Sequence, residues 1–162
     1  MGFSRKKVVD RTMKHLAEGS TRTAIAERLA KLTPVSPAVW GRMSAHQAVC
    51  HLSDSFRLPL GRKGASDASG LFHRTLMKWV ALRAPTPWPK GVPTRPELEQ
   101  GVGGTPPGEF SADRAELAGL MEEFAALRQI AAVHPIFGKM TIQEWMRWGF
   151  LHMDHHLRQY GV

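Results

Sequence analysis

Two histidines one helical turn apart, His152 and His156, carry the sharpest chemical signal in the chain, within Leu151-His-Met-Asp-His-His-Leu-Arg-Gln159. Imidazoles four residues apart on a helix can point at one ion together. Counted from Thr141 at ~100° per residue, His152 falls near ~20° and His156 near ~60°. Both lie at one edge of the stripe made by Trp145, Met146, Gly149, Met153, Leu157 and Tyr160. His155 falls near ~320° on the same wheel, among Glu144, Trp148 and Gln159, so residues 152 and 156 form the ligand pair. The competing reading of this spacing is a hydrogen-bonded histidine patch on an amphipathic helix.

A metal site needs a third ligand. His51 lies at one edge of the apolar stripe Ala45, Val49, Leu52 and Phe56, and His46 lies towards the opposite edge, beside Cys50 and Ser53. His73, at the start of a shorter helix, is a weaker candidate. Spacing alone leaves the choice open. His134, ahead of Pro135, suits a structural turn, with a supporting role behind a ligand or a substrate contact as the alternative. His15 reads as a surface residue and Cys50 as a small buried one. Asp54, three residues after His51, could orient a ligand histidine from behind. Trp145 and Trp148 could wall the site or simply fill the core.

The elements that must position these residues are helical, and no segment reads as a strand. A first helical region runs from about Lys6 to Leu32, with a break near Gly19-Ser20, and Pro34 and Pro37 stop it. A second helix starts at Ser44, where Ser-Ala-His-Gln forms a capping box, and ends around Pro59-Leu60-Gly61. Residues 70–83 predict a shorter amphipathic helix. Seven of the eleven prolines fall between Ala84 and Phe110, which predicts a long irregular connection. Such loops often cover functional sites. Its Gly-Val-Gly-Gly-Thr-Pro-Pro-Gly piece lacks Gly-Lys-Ser/Thr and reads as a flexible loop, not a phosphate cradle. Ser111 opens a helix through about Gln129, with Leu117, Leu120, Met121, Phe124 and Leu127 as its buried stripe. A second capping box at Thr141-Ile-Gln-Glu144 begins a last helix that reaches about Tyr160. The prediction is an all-α four-helix bundle, one domain over residues 1–162, with a long Pro/Gly-rich crossover loop.

Composition supports a globular chain: 162 residues, 43% hydrophobic and 22% charged. One cysteine excludes an internal disulfide and any multi-cysteine zinc site, and fits a reducing, cytoplasmic setting. No stretch approaches the ~18–20 apolar residues that span a bilayer, so no membrane partner is expected. The N-terminus lacks the apolar core of a secretory signal, and Lys6 stands where a myristoylation signal requires Ser or Thr. The net charge of +8 could draw a nucleic acid. The basic residues are dispersed, however, and no recognised nucleic-acid-binding spacing accompanies them, so a solvated basic surface is the simpler reading.

The segments Met43-Ser-Ala-His-Gln-Ala-Val-Cys-His-Leu-Ser-Asp54 and His152-x-x-x-His156-Leu-Arg-Gln159 resemble the DinB-like (YfiT-like) superfamily. Trp40-Gly-Arg-Met-Ser, His134-Pro-x-Phe-Gly138 and the ending His-His-Leu-Arg-Gln-Tyr-Gly161 look like one largely uncharacterised branch of it. The resemblance covers essentially the whole chain. It implies a four-helix bundle with a three-histidine metal site, one ligand on the second helix and a pair four apart on the last. That pattern selects His51 over His46, giving His51, His152 and His156 as ligands to a divalent zinc, nickel, iron or manganese ion. Related bundles often pair, so a homodimer is expected as well.

Three imidazoles leave an ion with open positions for water or substrate. The resemblance implies activation of a low-molecular-weight thiol for attack on an electrophile, with metal-bound thiol or water as the reactive group. Arg57, Arg147 and Arg158 are candidate anchors for the thiol's carboxylates, although the last two point away from the ligand edge. The alternatives are a metal-dependent hydrolase, or a non-catalytic stress-related bundle with a basic nucleic-acid-binding surface.

Overall fold

The computed structural model describes residues 13–162. The described residues are helical, without a strand: α1 (Gly19–Ala30), α2 (Ala45–Arg57), α3 (Lys78–Arg83), α4 (Phe110–Ala126) and α5 (Ile142–Gln159). The helical reading of residues 6–12 lies outside the described residues. Residues 13–18, expected to be helical, form an irregular segment that crosses α5. Leu16 donates its N–H to the Met146 carbonyl at 3.1 Å, and its side chain is fully buried. Arg147 fastens the same segment by donating to the Lys14 carbonyl at 2.7 Å.

Both capping boxes form. Ser44 Oγ accepts from the Gln47 N–H at 3.1 Å, and Gln47 Oε1 accepts from the Ser44 N–H at 2.9 Å. Thr141 and Glu144 make the equivalent pair at the head of α5. Each reciprocal pair satisfies two backbone donors that a helix start leaves unpaired. α4 begins one residue earlier than expected, because the Glu109 carboxylate accepts from the Ser111 and Ala112 N–H groups. It also ends three residues sooner, where Leu127 turns extended.

The apolar face of α2 follows helical spacing, with Ala45, Ala48, Val49, Leu52 and Phe56, and every residue from Ala48 to Phe56 is buried. α2 packs against α4 and α5, α1 packs against α5 and α4, and α3 lies on α5. A single apolar cluster joins them, with Phe56, Phe124, Trp145, Met153 and Leu157 almost wholly enclosed. Each such side chain contributes about 1.5–3 kcal/mol through removal of apolar surface from water. Gly149 lies where α5 meets this cluster. A Cβ there would stand 2.8 Å from Phe124 Cε1 and 2.9 Å from Leu16 Cδ1, so only hydrogen fits without a shift.

Residues 73–77 form a π-helical turn that runs directly into α3, where a regular helix over 70–83 was predicted. The widened turn sets Arg74 against Gly138 and brings Lys78 Nζ to 3.0 Å from the Lys139 carbonyl. Much of the segment's apolar side faces solvent, including Leu71, Phe72, Leu76 and Trp79. No helix among the described residues is long and apolar enough to cross a membrane.

The glycine-rich connection is not a loose loop. Gly103 and Gly104 donate to the Pro96 and Glu99 carbonyls at 3.0 and 2.9 Å, folding the chain back on a 3-10 turn at Pro96–Leu98. A Cβ on Gly103 would stand 2.7 Å from the Pro96 carbonyl oxygen, which accounts for glycine there. Asp54 locks this fold-back to α2 by accepting from the Thr105 N–H and hydroxyl, both at 2.7 Å.

Candidate metal centre

α2 and α5 bring His51, His152 and His156 together, with one nitrogen from each ring mutually within 4.8 Å. His51 Nε2 and His152 Nε2 face each other at 3.2 Å. The ring centroids of His51 and His156 are 4.9 Å apart, as are those of His152 and His156. Three residues separated by up to 105 positions thus meet because the i, i+4 pair on α5 faces the His51 edge of α2.

The outer nitrogens of two rings are held by acceptors. His51 Nδ1 lies 3.0 Å from the Leu98 carbonyl, on the 3-10 turn. His156 Nδ1 lies 2.9 Å from Gln159 Oε1. The Gln159 amide is oriented independently, since its Nε2 donates to the Trp40 carbonyl at 2.9 Å. Both imidazoles therefore carry their proton on Nδ1 and present a bare Nε2 lone pair inward. Carbonyl groups behind ligand imidazoles are the usual means of fixing tautomer and orientation. Burial pushes the pKa of all three histidines below the ordinary value, and for His152 and His156 well below it. Neutral imidazole is the form that binds metal. The cluster could hold a metal ion.

The site opens onto a cavity of about 560 Å³. Trp148 forms one wall, 5.1 Å from the His152 ring, and Trp88 from the proline-rich connection approaches the same ring at 6.1 Å. Among the described residues the lining includes Arg42 and Arg95 but no carboxylate. Arg95 Nε is buried without a hydrogen-bond partner among the described residues. Trp145 sits behind, against Trp148 and His134, and belongs to the core.

Several expected roles move. His155, left off the ligand pair, lines the cavity between Trp40 and Trp88, at centroid distances of 5.8 and 6.2 Å. His134 Nδ1 accepts from the Ile136 and Phe137 N–H groups at 3.2 and 3.1 Å, which is the structural turn. Its ring also lines the cavity, and burial lowers its pKa to about 3. Asp54 makes no hydrogen bond to a ligand histidine; it works on Thr105, Arg57 and Lys63 instead. Arg57 is engaged by Asp54 and Glu116, Arg147 by the Leu82 and Lys14 carbonyls, and Arg158 by Asp154. None of these three lines the cavity. His73 sits against Phe72, away from it. His46 turns to the other side of α2, with Nε2 2.6 Å from Asp113 Oδ2.

The family model described as Protein of unknown function (DUF1569) matches residues 11–161. The chain belongs to that family. No curated protein and no solved structure matches this DUF1569 chain. The matched region spans α2 and α5, which carry the three histidines, and the proline-rich connection.

Proposed function

We propose that this DUF1569 protein is a four-helix bundle of the DinB-like type that binds one divalent metal ion through His51, His152 and His156 and uses it in a thiol-dependent transfer reaction. The observation that carries the metal reading is the convergence of three buried imidazoles, two of which have their outer nitrogens engaged by carbonyl oxygens. A divalent ion gives the inward lone pairs of His51 and His156, and the His152 ring between them, one common partner. A divalent ion held there supplies a Lewis acid that lowers the pKa of a thiol or water towards neutrality.

The protein's own residues do the rest. The Leu98 carbonyl and Gln159 fix the ligand tautomers. Trp88, Trp148 and Phe137 line the approach and limit water around the reacting centre. Arg42 and Arg95 are the cations placed to bind a carboxylate of a low-molecular-weight thiol, and the apolar walls suit an uncharged electrophile. A homodimer is part of the same reading, supported by the apolar side chains that residues 71–80 leave uncovered.

Elemental analysis of tag-free protein tests the metal claim, beside a His152→Ala/His156→Ala double variant. The proposal expects the wild type to hold about one divalent ion per chain more than the variant, while the helical circular dichroism is kept. A wild type that binds no more metal than the double variant after incubation with zinc, nickel and manganese overturns it. Thiol-dependent consumption of an electrophile, lost in the double variant and weakened by Arg95→Ala, tests the transfer reaction separately.

A further inference from the structure

We infer that His46, Cys50 and Asp113 form a second metal site, separate from the histidine cage and suited to a zinc-like ion. His46 and Cys50 are four apart on α2, so they share a face, and Asp113 reaches them from the first turn of α4. One ligand atom from each lies within 4.8 Å of the other two. Cys50 precedes His51 by one position, about 100° around the helix, so α2 serves two sites on different faces.

The donor set has its own chemistry. Thiolate, imidazole and carboxylate together suit an ion of borderline softness, and three protein ligands leave a fourth tetrahedral position for water. The two anionic ligands balance the charge of a divalent ion, which the three neutral imidazoles of the cage do not. A tetrahedral site with bonds of about 2.0–2.3 Å has ligand–ligand edges of roughly 3.3–3.7 Å. The Cys50 Sγ to Asp113 Oδ2 distance, 3.6 Å, already has that value. The His46 to Asp113 contact, 2.6 Å, must widen. The His46 and Asp113 side chains keep 18% and 22% exposure, so an ion can arrive and the imidazole can swing without disturbing the core. Asp113 Oδ2 is steadied from behind by the Gly108 N–H at 2.8 Å. On binding, the thiol proton leaves to solvent and the imidazole carries its proton on Nδ1, freeing Nε2.

A metal there joins α2 to α4 beside the cage without facing its cavity, which assigns it a stabilising role. Cobalt(II) distinguishes the two sites, because only this one contains a thiolate. The experiment titrates the His152→Ala/His156→Ala variant with cobalt chloride and follows the near-ultraviolet thiolate-to-cobalt charge-transfer band. The expected result is about one ion per chain with that band present, and loss of both when Cys50→Ser or Asp113→Asn is added. A variant that binds no cobalt, or binds it without the band, reduces the trio to a hydrogen-bonded staple between helices and overturns the proposal. The cage stands or falls on its own stoichiometry, so the two failures are distinguishable.

Discussion

Gln159 joins two parts of the molecule through one amide: its Oε1 meets His156 Nδ1 at 2.9 Å while its Nε2 donates to the Trp40 carbonyl at 2.9 Å. It thereby sets the tautomer of His156 and ties the loop before α2 to the end of α5.

Replacing Gln159 by Leu therefore weakens metal binding about 10- to 100-fold, the usual effect of removing the group behind a ligand imidazole. Gln159→Glu keeps an acceptor for Nδ1 and retains most of the affinity, although the Trp40 carbonyl loses its donor. Competition titration with a chromophoric zinc chelator measures both. Equal losses in the two variants would show that Gln159 acts only through the loop.

Asp54 acts on His51 at one remove, through the fold-back that carries the Leu98 carbonyl. It is fully buried. Burial alone would raise its pKa, but the Thr105 N–H and hydroxyl, with Lys63 and Arg57, hold its carboxyl below the ordinary range. Asp54→Ala costs about 2–4 kcal/mol, because the charged and polar donors around it lose their shared acceptor. It also loosens the 96–105 fold-back and with it the Leu98 carbonyl, so metal affinity drops together with stability. Urea denaturation and metal titration on the same variant check the pairing. A stability loss with unchanged affinity would separate Thr105 from the cage. The sign with pH follows: this stability is present above the unfolded pKa and declines as the pH falls through the depressed folded value.

His134 makes a distinct acid limb. Its folded pKa, about 3, lies below the ordinary 6.5 because burial disfavours the charged ring. The unfolded chain takes up the proton first, so stability is full above about pH 6.5 and falls as the pH drops towards 3. The shift corresponds to a loss on the order of 5 kcal/mol across that window. His134→Asn preserves an acceptor for the Ile136 and Phe137 N–H groups and removes the titration. Denaturation curves at a series of pH values should be flatter for the variant; parallel curves would locate the acid sensitivity elsewhere.

Gly149→Ala sets helix propensity against space. Alanine gains about 1 kcal/mol over glycine within a helix, while overpacking costs about 1–3 kcal/mol. The atoms in the way belong to Phe124, Leu16 and Phe56, two of them rigid rings enclosed on all sides. The clash wins, with a net loss of about 1 kcal/mol in chemical denaturation. An unchanged midpoint would mean that Leu16 yields.

The sequence made some of this legible and hid the rest for identifiable reasons. The capping boxes at Ser44 and Thr141 are local, so their four-residue signatures mark two of the helix starts directly. The pairing of His152 with His156 is equally local. His51 is different: helix-face geometry permitted it, and a family resemblance selected it over His46. The groups behind the ligands split along the same line. Gln159 lies three residues from His156 and could have been found from that spacing, but the Leu98 carbonyl reaches His51 only through a fold-back that no local pattern encodes. Asp113 remained unremarked for the same reason, since it meets His46 across 67 positions. The π turn at residues 73–77 reads as ordinary helix because its apolar spacing differs from the α pattern by a single residue.

The cage joins α2 to α5 across 101 positions, from His51 to His152. A chain emerging from the ribosome and folded only as far as α4 possesses one of the three imidazoles, and that one has nothing to work with. The trio on α2 and α4 is already complete at that moment. Assembly therefore has a built-in order in time: the thiol-bearing face of α2 meets its partner on α4 first, and the three imidazoles come together only when the last described helix docks.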